Sequence, residues 1–209
     1  MARVIDIDTW ERAPQYRLFR GYQRPHFATT ARMDVTVLMA ARAARGISPY
    51  RGSLYAIATG LHAVPALCLR FDGDTLTQHD RIALSMTVPR EDGTFGFGYL
   101  DFDPDFTAFD AAAQAEIARA RTAPVEPDKD GRKDLAYLSC MPWLDYVSIT
   151  NAMPSPEDCI PRVSWGKIVT EGDRFAMSMT IEVHHAIADG RHVGQFFEAV
   201  QIALDRFAD

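Results

Sequence analysis

The sequence predicts an α+β fold built on one large mixed β-sheet with flanking helices, and three features carry that reading. Helical stretches and hairpin signals interleave without the strict alternation of strand and helix that a parallel sheet requires. Two glycine-containing turns, Asp72-Gly73 and Glu91-Asp92-Gly93, lie between runs rich in strand formers. The chain has 209 residues, 47% hydrophobic and 24% charged, which suffices for a buried core and excludes wholesale disorder. No repeat or low-complexity linker divides it, so one domain over residues 1–209 is expected.

Each element has a local cause. Asp8 or Thr9 can cap a helix over Trp10–Phe19, with Pro14 near its first turn. Phe27–Val35 reads as a strand, and Asp34 as the cap of a helix over Val35–Arg45 that Gly46 ends. Ser48 followed by Pro49 opens a helix that stops before Pro65. LCLRF and DTLTQ flank Asp72-Gly73 as a hairpin, and ALSMTVP and TFGFGYL pair around Gly93. Asp105–Arg121 is alanine-rich, with Phe106 and Phe109 on one face, and forms the central helix. Strands follow at Leu135–Cys140, Leu144–Ile149, Val163–Thr170 and Phe175–His184, the last two joined at Glu171-Gly172-Asp173. Gly190–Phe207 closes the chain as an amphipathic helix, with Val193, Phe196, Phe197, Val200 and Leu204 on one stripe.

Composition removes several function classes. Lys and Arg number 22 against 28 Asp and Glu, a net charge of −6, which argues against a nucleic-acid partner because that needs a basic face. No apolar run approaches 18 residues and the start MARVIDIDTWER has no secretory core, so no membrane association and a cytoplasmic location are expected. Cys68, Cys140 and Cys159 are odd in number and lack CxxC spacing, which speaks against a disulfide framework or a zinc site.

The specific stretch is MSMTIEVHHAIADG, Met177–Gly190. Strand alternation puts Met177, Met179, Ile181, Val183 and His185 on one face, and Ser178, Thr180, Glu182 and His184 on the other. If the strand runs through both histidines, their environments differ. His185 ends an apolar row, where a neutral imidazole can serve as a base, or where it can simply be a satisfied core histidine. Asp189 stands at a strand-to-helix junction, either as the N-cap of the last helix or as a buried carboxylate that needs a cation. Adjacent strand histidines point to opposite faces, so His184, His185, Asp189 and His192 make a poor ligand set and no metal is expected.

At these residues the chain resembles the chloramphenicol acetyltransferases. HHAIADG, His184–Gly190, is similar to that family's H-H-x-x-x-D-G signature, which dihydrolipoamide acyltransferase catalytic domains share. Trp10-Glu11-Arg12 with Tyr16 and Phe19, Ser139-Cys140-Met141-Pro142-Trp143, and Ser164-Trp165-Gly166-Lys167 followed by Glu171-Gly172-Asp173 resemble further family motifs in order. The resemblance implies the family's two-layer sandwich and acetyl transfer from acetyl-CoA, with no metal, to chloramphenicol or a similar small alcohol, and with it antibiotic resistance. It also implies a homotrimer with active sites at the subunit interfaces. His185 would be the general base and Ser139 the oxyanion donor, while Asp189 paired with Arg12 would hold the catalytic loop. Phe19, Phe27, Thr87 and Phe95 would line the acceptor pocket, and Ser164 would replace a more usual threonine. The chain departs from the family in a short stretch before Ser139, Asp128–Ala136, and in Pro25, Ile149 and Asn151, which leave the pocket wall more open and less apolar. Two rival functions remain: a CoA-dependent O-acetyltransferase of another small alcohol, and a catalytically silent binding protein of the same fold. A dihydrolipoamide acyltransferase would bring a lipoyl domain and a Pro/Ala-rich linker, and the sequence has neither.

Overall fold

The computed structural model describes residues 2–125 and 131–208. The elements run β1 (Ala2–Ile5), α1 (Ala13–Arg20), β2 (His26–Asp34), α2 (Thr36–Arg45), α3 (Pro49–Ala63), β3 (Leu69–Asp72), β4 (Thr75–His79), β5 (Ala83–Pro89) and β6 (Phe95–Leu100). They continue with α4 (Phe106–Thr122), β7 (Leu135–Cys140), β8 (Arg162–Trp165), β9 (Val169–Glu171), β10 (Arg174–His184) and α5 (Gly190–Asp205). A seven-stranded mixed sheet has the order β2-β10-β8-β7-β5-β6, with β9 beside β8 on β10. The β5–β7 and β7–β8 pairs are parallel and the others antiparallel. A separate three-stranded sheet, β1-β4-β3, takes the first hairpin, which the single-sheet expectation had placed in the main sheet.

Local chemistry explains most boundaries. Ser48 accepts from Arg51 N–H at the start of α3, and Asp105 accepts from Ala108 N–H at the start of α4. Gly46 ends α2 with φ of 72°, a left-handed value that suits glycine. The first helix starts at Ala13, three residues later than expected. Asp6, not Asp8 or Thr9, organises the turn before it, accepting from Asp8 N–H and the Thr9 hydroxyl.

Two expected strands differ. Leu144–Ile149 is neither strand nor helix, because its anchors are isolated bonds and not a ladder: Tyr146 donates to Ser164 O at 2.8 Å and Lys167 N–H to Leu144 O at 2.7 Å. Val163–Thr170 splits into β8 and β9 at Gly166, whose N–H reaches Ser178 O. A Cβ at Gly166 would lie 2.6 Å from Leu144 O, so the crossing segment needs glycine there.

The two faces of β10 are both buried, by different means. Met177, Met179, Ile181 and Val183 join the core with the buried faces of α2, α3 and α5, including Leu38, Leu54, Phe196 and Val200. Ser178, Thr180, Glu182 and His184 are also buried, under the irregular segment 141–161. Each bonds to that segment: Ser178 to Tyr146 O, Thr180 to the Tyr146 hydroxyl, Glu182 to Asn151, and His184 to Pro156 O. A polar row can be buried because every member has a partner.

Candidate active site

β10 ends at His184, so the alternation argument stops one residue short of His185. His185 opens the turn to α5, its N–H donating to Pro25 O at 2.8 Å. Its imidazole lies flat on Phe19, with centroids 3.8 Å apart and planes 5° apart, and against Phe27 at 4.7 Å. The side chain is half-buried, and Nδ1 is buried without a hydrogen-bond partner among the described residues. His184 is different. Ala186 N–H donates to its Nδ1 at 3.1 Å and its Nε2 reaches Pro156 O at 3.0 Å. Burial first, then the neighbouring His26, lowers its pKa from the ordinary histidine value to about 4. Both of its nitrogens are therefore occupied by the fold.

Asp189 fills both of the positions open to it in the sequence. It caps α5, accepting from Arg191 and His192 N–H groups, and its Oδ2 meets Arg12 Nη1 at 2.7 Å. His192 Nδ1 stands 2.8 Å from Asp189 Oδ1 and 3.2 Å from Asp189 N, so that ring either donates to the carboxylate or accepts from the backbone. Burial would raise the Asp189 pKa, but the Arg12 hydrogen bond and the His192 and Arg12 charges outweigh it and hold the pKa at about 2. Arg12 and Asp189 side chains are 19% and 32% exposed, so this is a partly buried pair and not the fully buried one that a buried carboxylate at this junction suggests.

Ser139 belongs to a second group. It sits on β7 opposite Ser164 of β8, which sits opposite Thr180 of β10. Its hydroxyl has no hydrogen-bond partner among the described residues, whereas Ser164 Oγ donates to Asn151 Oδ1 at 3.2 Å. Thr87 follows Met86, which pairs with Leu138, so Thr87 lies beside Ser139. Phe95, at the start of β6, is 50% exposed and packs edge-on to Phe97. The expected residues thus fall into two groups: His185, Phe19, Phe27, Arg12 and Asp189 at the end of β10, and Ser139, Ser164 and Thr87 across the middle strands. From Thr180, which aligns with Ser139, to the end of β10 at His184 is four residues of strand rise, and two strand spacings lie between β10 and β7, about 13 Å along and about 10 Å across, or about 16 Å in all, with His185 one residue farther on.

On the helical side of β7, behind Cys140 and across the sheet from the face that Ser139 shares with Ser164, opens a cavity of about 440 Å³. Tyr50, Cys140, Trp165 and Phe175 give it an apolar lining, and Arg42 and Lys167 add cations. Ser53, whose Oγ is buried and without a hydrogen-bond partner among the described residues, also lines it. Burial pushes the Cys140 thiol up to about 12, so it is not a nucleophile at neutral pH. The sequence reading missed this cavity, since its walls come from α2, α3, β7, β8 and β10 and no linear motif joins them. The first residues of the short Asp128–Ala136 stretch, 128–130, lie outside the described residues. No helix among the described residues is long and apolar enough to cross a membrane.

Comparison with known proteins agrees with this architecture. Chloramphenicol acetyltransferase 2 of Escherichia coli is 26% identical over 204 residues, covering 96% of both chains. The chloramphenicol acetyltransferase of Streptomyces acrimycini is 26% identical, covering 96% of this chain and 93% of its own. A solved chloramphenicol acetyltransferase superposes with a TM-score of 0.88 at 27% identity, covering 98% of this chain and all of that one. The dihydrolipoamide acetyltransferase of Azotobacter vinelandii shares the fold less closely, with a TM-score of 0.70 at 17% identity over 92% of this chain and 86% of its own. The chloramphenicol acetyltransferase family model matches residues 2–201, and the chain belongs to that family.

Proposed function

We propose that this protein is a chloramphenicol O-acetyltransferase that takes acetyl from acetyl-CoA, with His185 as general base. The observation that carries the reading is the contrast between the two histidines. His184 spends both nitrogens inside the fold, whereas Nε2 of His185 has no hydrogen bond among the described residues, on a ring packed against Phe19 and Phe27. An alcohol is a weak nucleophile at neutral pH, so an imidazole must take its proton as its oxygen attacks the thioester carbonyl. The oxyanion that forms accepts a hydrogen bond from the Ser139 hydroxyl. Collapse expels the CoA thiolate, His185 returns the proton to sulfur, and acetyl ester and free CoA leave. Arg12 and Asp189 hold the turn that carries His185 and take no proton.

Phe19, Phe27, Thr87 and Phe95 would enclose the acceptor, with Ser164 close by. The separation of about 16 Å between the ends holding His185 and Ser139 supports a site shared between copies, because one chain cannot bring both to one carbonyl. We take the assembly to be a homotrimer of single-domain chains, acting in the cytoplasm and conferring antibiotic resistance. One observation favours a different acceptor: Asn151 bonds to Glu182 through its N–H and side chain and accepts from Ser164, a polar wall where an apolar one would suit an aromatic drug. Thiol release from acetyl-CoA with chloramphenicol tests the reading. Turnover supports it; turnover only with another small alcohol moves the acceptor, and none with any alcohol leaves a silent binding protein.

A further inference from the structure

His185 does the proposed chemistry with a ring whose Nδ1 is buried without a hydrogen-bond partner among the described residues. An imidazole base ordinarily takes its direction from the partner of its second nitrogen. Here direction comes from the backbone beneath it and from the Phe19 and Phe27 rings. That backbone hangs from His184. Ala186 N–H donates to His184 Nδ1 at 3.1 Å, and Ile187 and Ala188 N–H groups donate to His184 O at 3.1 and 3.2 Å. The three N–H groups that follow His185 thus end on one residue, and the N–H of His185 itself ends on Pro25 O.

The His184 ring is in turn fixed from three sides. Nε2 bonds to Pro156 O of the irregular segment, and the ring edge meets His26 of β2 at 5.0 Å and Phe71 of β3 at 4.9 Å. Accepting at Nδ1 and bonding a carbonyl at Nε2 admits one state, the neutral ring with its proton on Nε2. The titratable groups facing it are His26, Arg20 of α1 and Asp158 of the irregular segment. Arg20 reaches Glu157 at 2.5 Å and His26 Nε2 reaches Asp158 O at 2.5 Å, so the same segment that receives Nε2 is itself tied down.

We infer that His184 is a positioning residue: as a neutral ring it accepts from Ala186 N–H and so sets the placement of the His185 imidazole. The inference rests on His185 being the base. It separates the two ring nitrogens, because an asparagine amide oxygen can replace Nδ1 and a glutamine amide can replace Nε2.

The test measures kcat, both KM values and thermal midpoints for His184→Asn, His184→Gln and His184→Ala, with His185→Ala alongside. His184→Asn should keep the Ala186 bond and stay within about threefold of the native kcat, while Gln and Ala lose about 10- to 100-fold in kcat with little change in KM, the cost of a base displaced by about 1 Å. Histidine ¹⁵N NMR should find His184 protonated on Nε2 alone between about pH 6 and about pH 8. Native kcat in His184→Gln, losses that merely follow thermal midpoint across the three variants, or an Nδ1-protonated ring would each overturn the inference. Native turnover by His185→Ala would overturn the base assignment itself, and the two failures are distinguishable.

Discussion

The imidazole of His185 and the ring of Phe19 are stacked in parallel, 3.8 Å between centroids and 5° between planes. Helix α1, at one end of the chain, therefore provides the surface on which a residue near the other end rests. The same helix is entered through Arg12, which holds Asp189 four residues beyond His185. Two contacts between α1 and the turn after β10 make one rigid corner.

His185→Ala should abolish acetyl transfer while leaving the fold intact. A general base accounts for about 10²–10⁴-fold in rate, and a half-buried ring on the surface of a corner is not a core prop. Steady-state thiol release and circular dichroism check the two halves of this expectation. Normal turnover would remove His185 from the chemistry.

Ser139→Ala should lower kcat by about 10²-fold with KM little changed, as for a donor used mainly in the transition state. The shared-site geometry adds a stronger expectation. Unfolding and refolding an equal mixture of His185→Ala and Ser139→Ala chains should restore activity in about one quarter of sites, those that draw one intact residue from each chain in a closed ring. An inactive mixture, with mixed oligomers demonstrated, would show that each chain keeps its own pair.

Arg12→Ala and Asp189→Asn should each reduce stability, and their losses should not add. The pair is only partly buried, so the cost of breaking it lies between that of a surface pair and a buried one, about 1–3 kcal/mol. Asp189→Asn retains a capping side chain for α5, so Arg12→Ala isolates the ion pair from the cap. Urea unfolding of both single variants and the double variant measures the coupling. Strict additivity would contradict the 2.7 Å contact.

Acid should loosen the protein through His184. Burial, reinforced by the neighbouring His26 and opposed by the Pro156 bond, puts its folded pKa at about 4, below the unfolded value near 6.5. Between those values the unfolded chain binds a proton that the folded chain refuses, so this contribution to stability is complete above about pH 6.5 and falls as pH drops toward about 4, by up to about 3 kcal/mol. His184→Asn, which cannot titrate, should flatten that slope in urea titrations run across the window. Equal slopes in both proteins would mean that His184 is not held neutral.

The sequence by itself determined the α+β class, most of the elements and the residue types of the proposed chemistry, because these depend on local signals. Ser48 and Asp105 cap helices α3 and α4, Gly46 ends α2 through a left-handed φ, and β7 runs from Leu135 to Cys140 as its pattern implies. The HHAIADG stretch marks the end of β10 that carries the proposed base in the same local way. Only the tertiary structure decided what those residues touch. Strand alternation could not tell that the row from Ser178 to His184 is buried, since the cover comes from residues 141–161, which make isolated bonds and have no periodicity to read. Strand β1 was missed because its four residues are held by pairing with β4, more than seventy positions away. The pairing of Arg12 with Asp189, the different surroundings of the two histidines and the distance between His185 and Ser139 are set by strand order and register. Those arise from long-range packing, which a linear pattern of caps, turns and alternation does not encode.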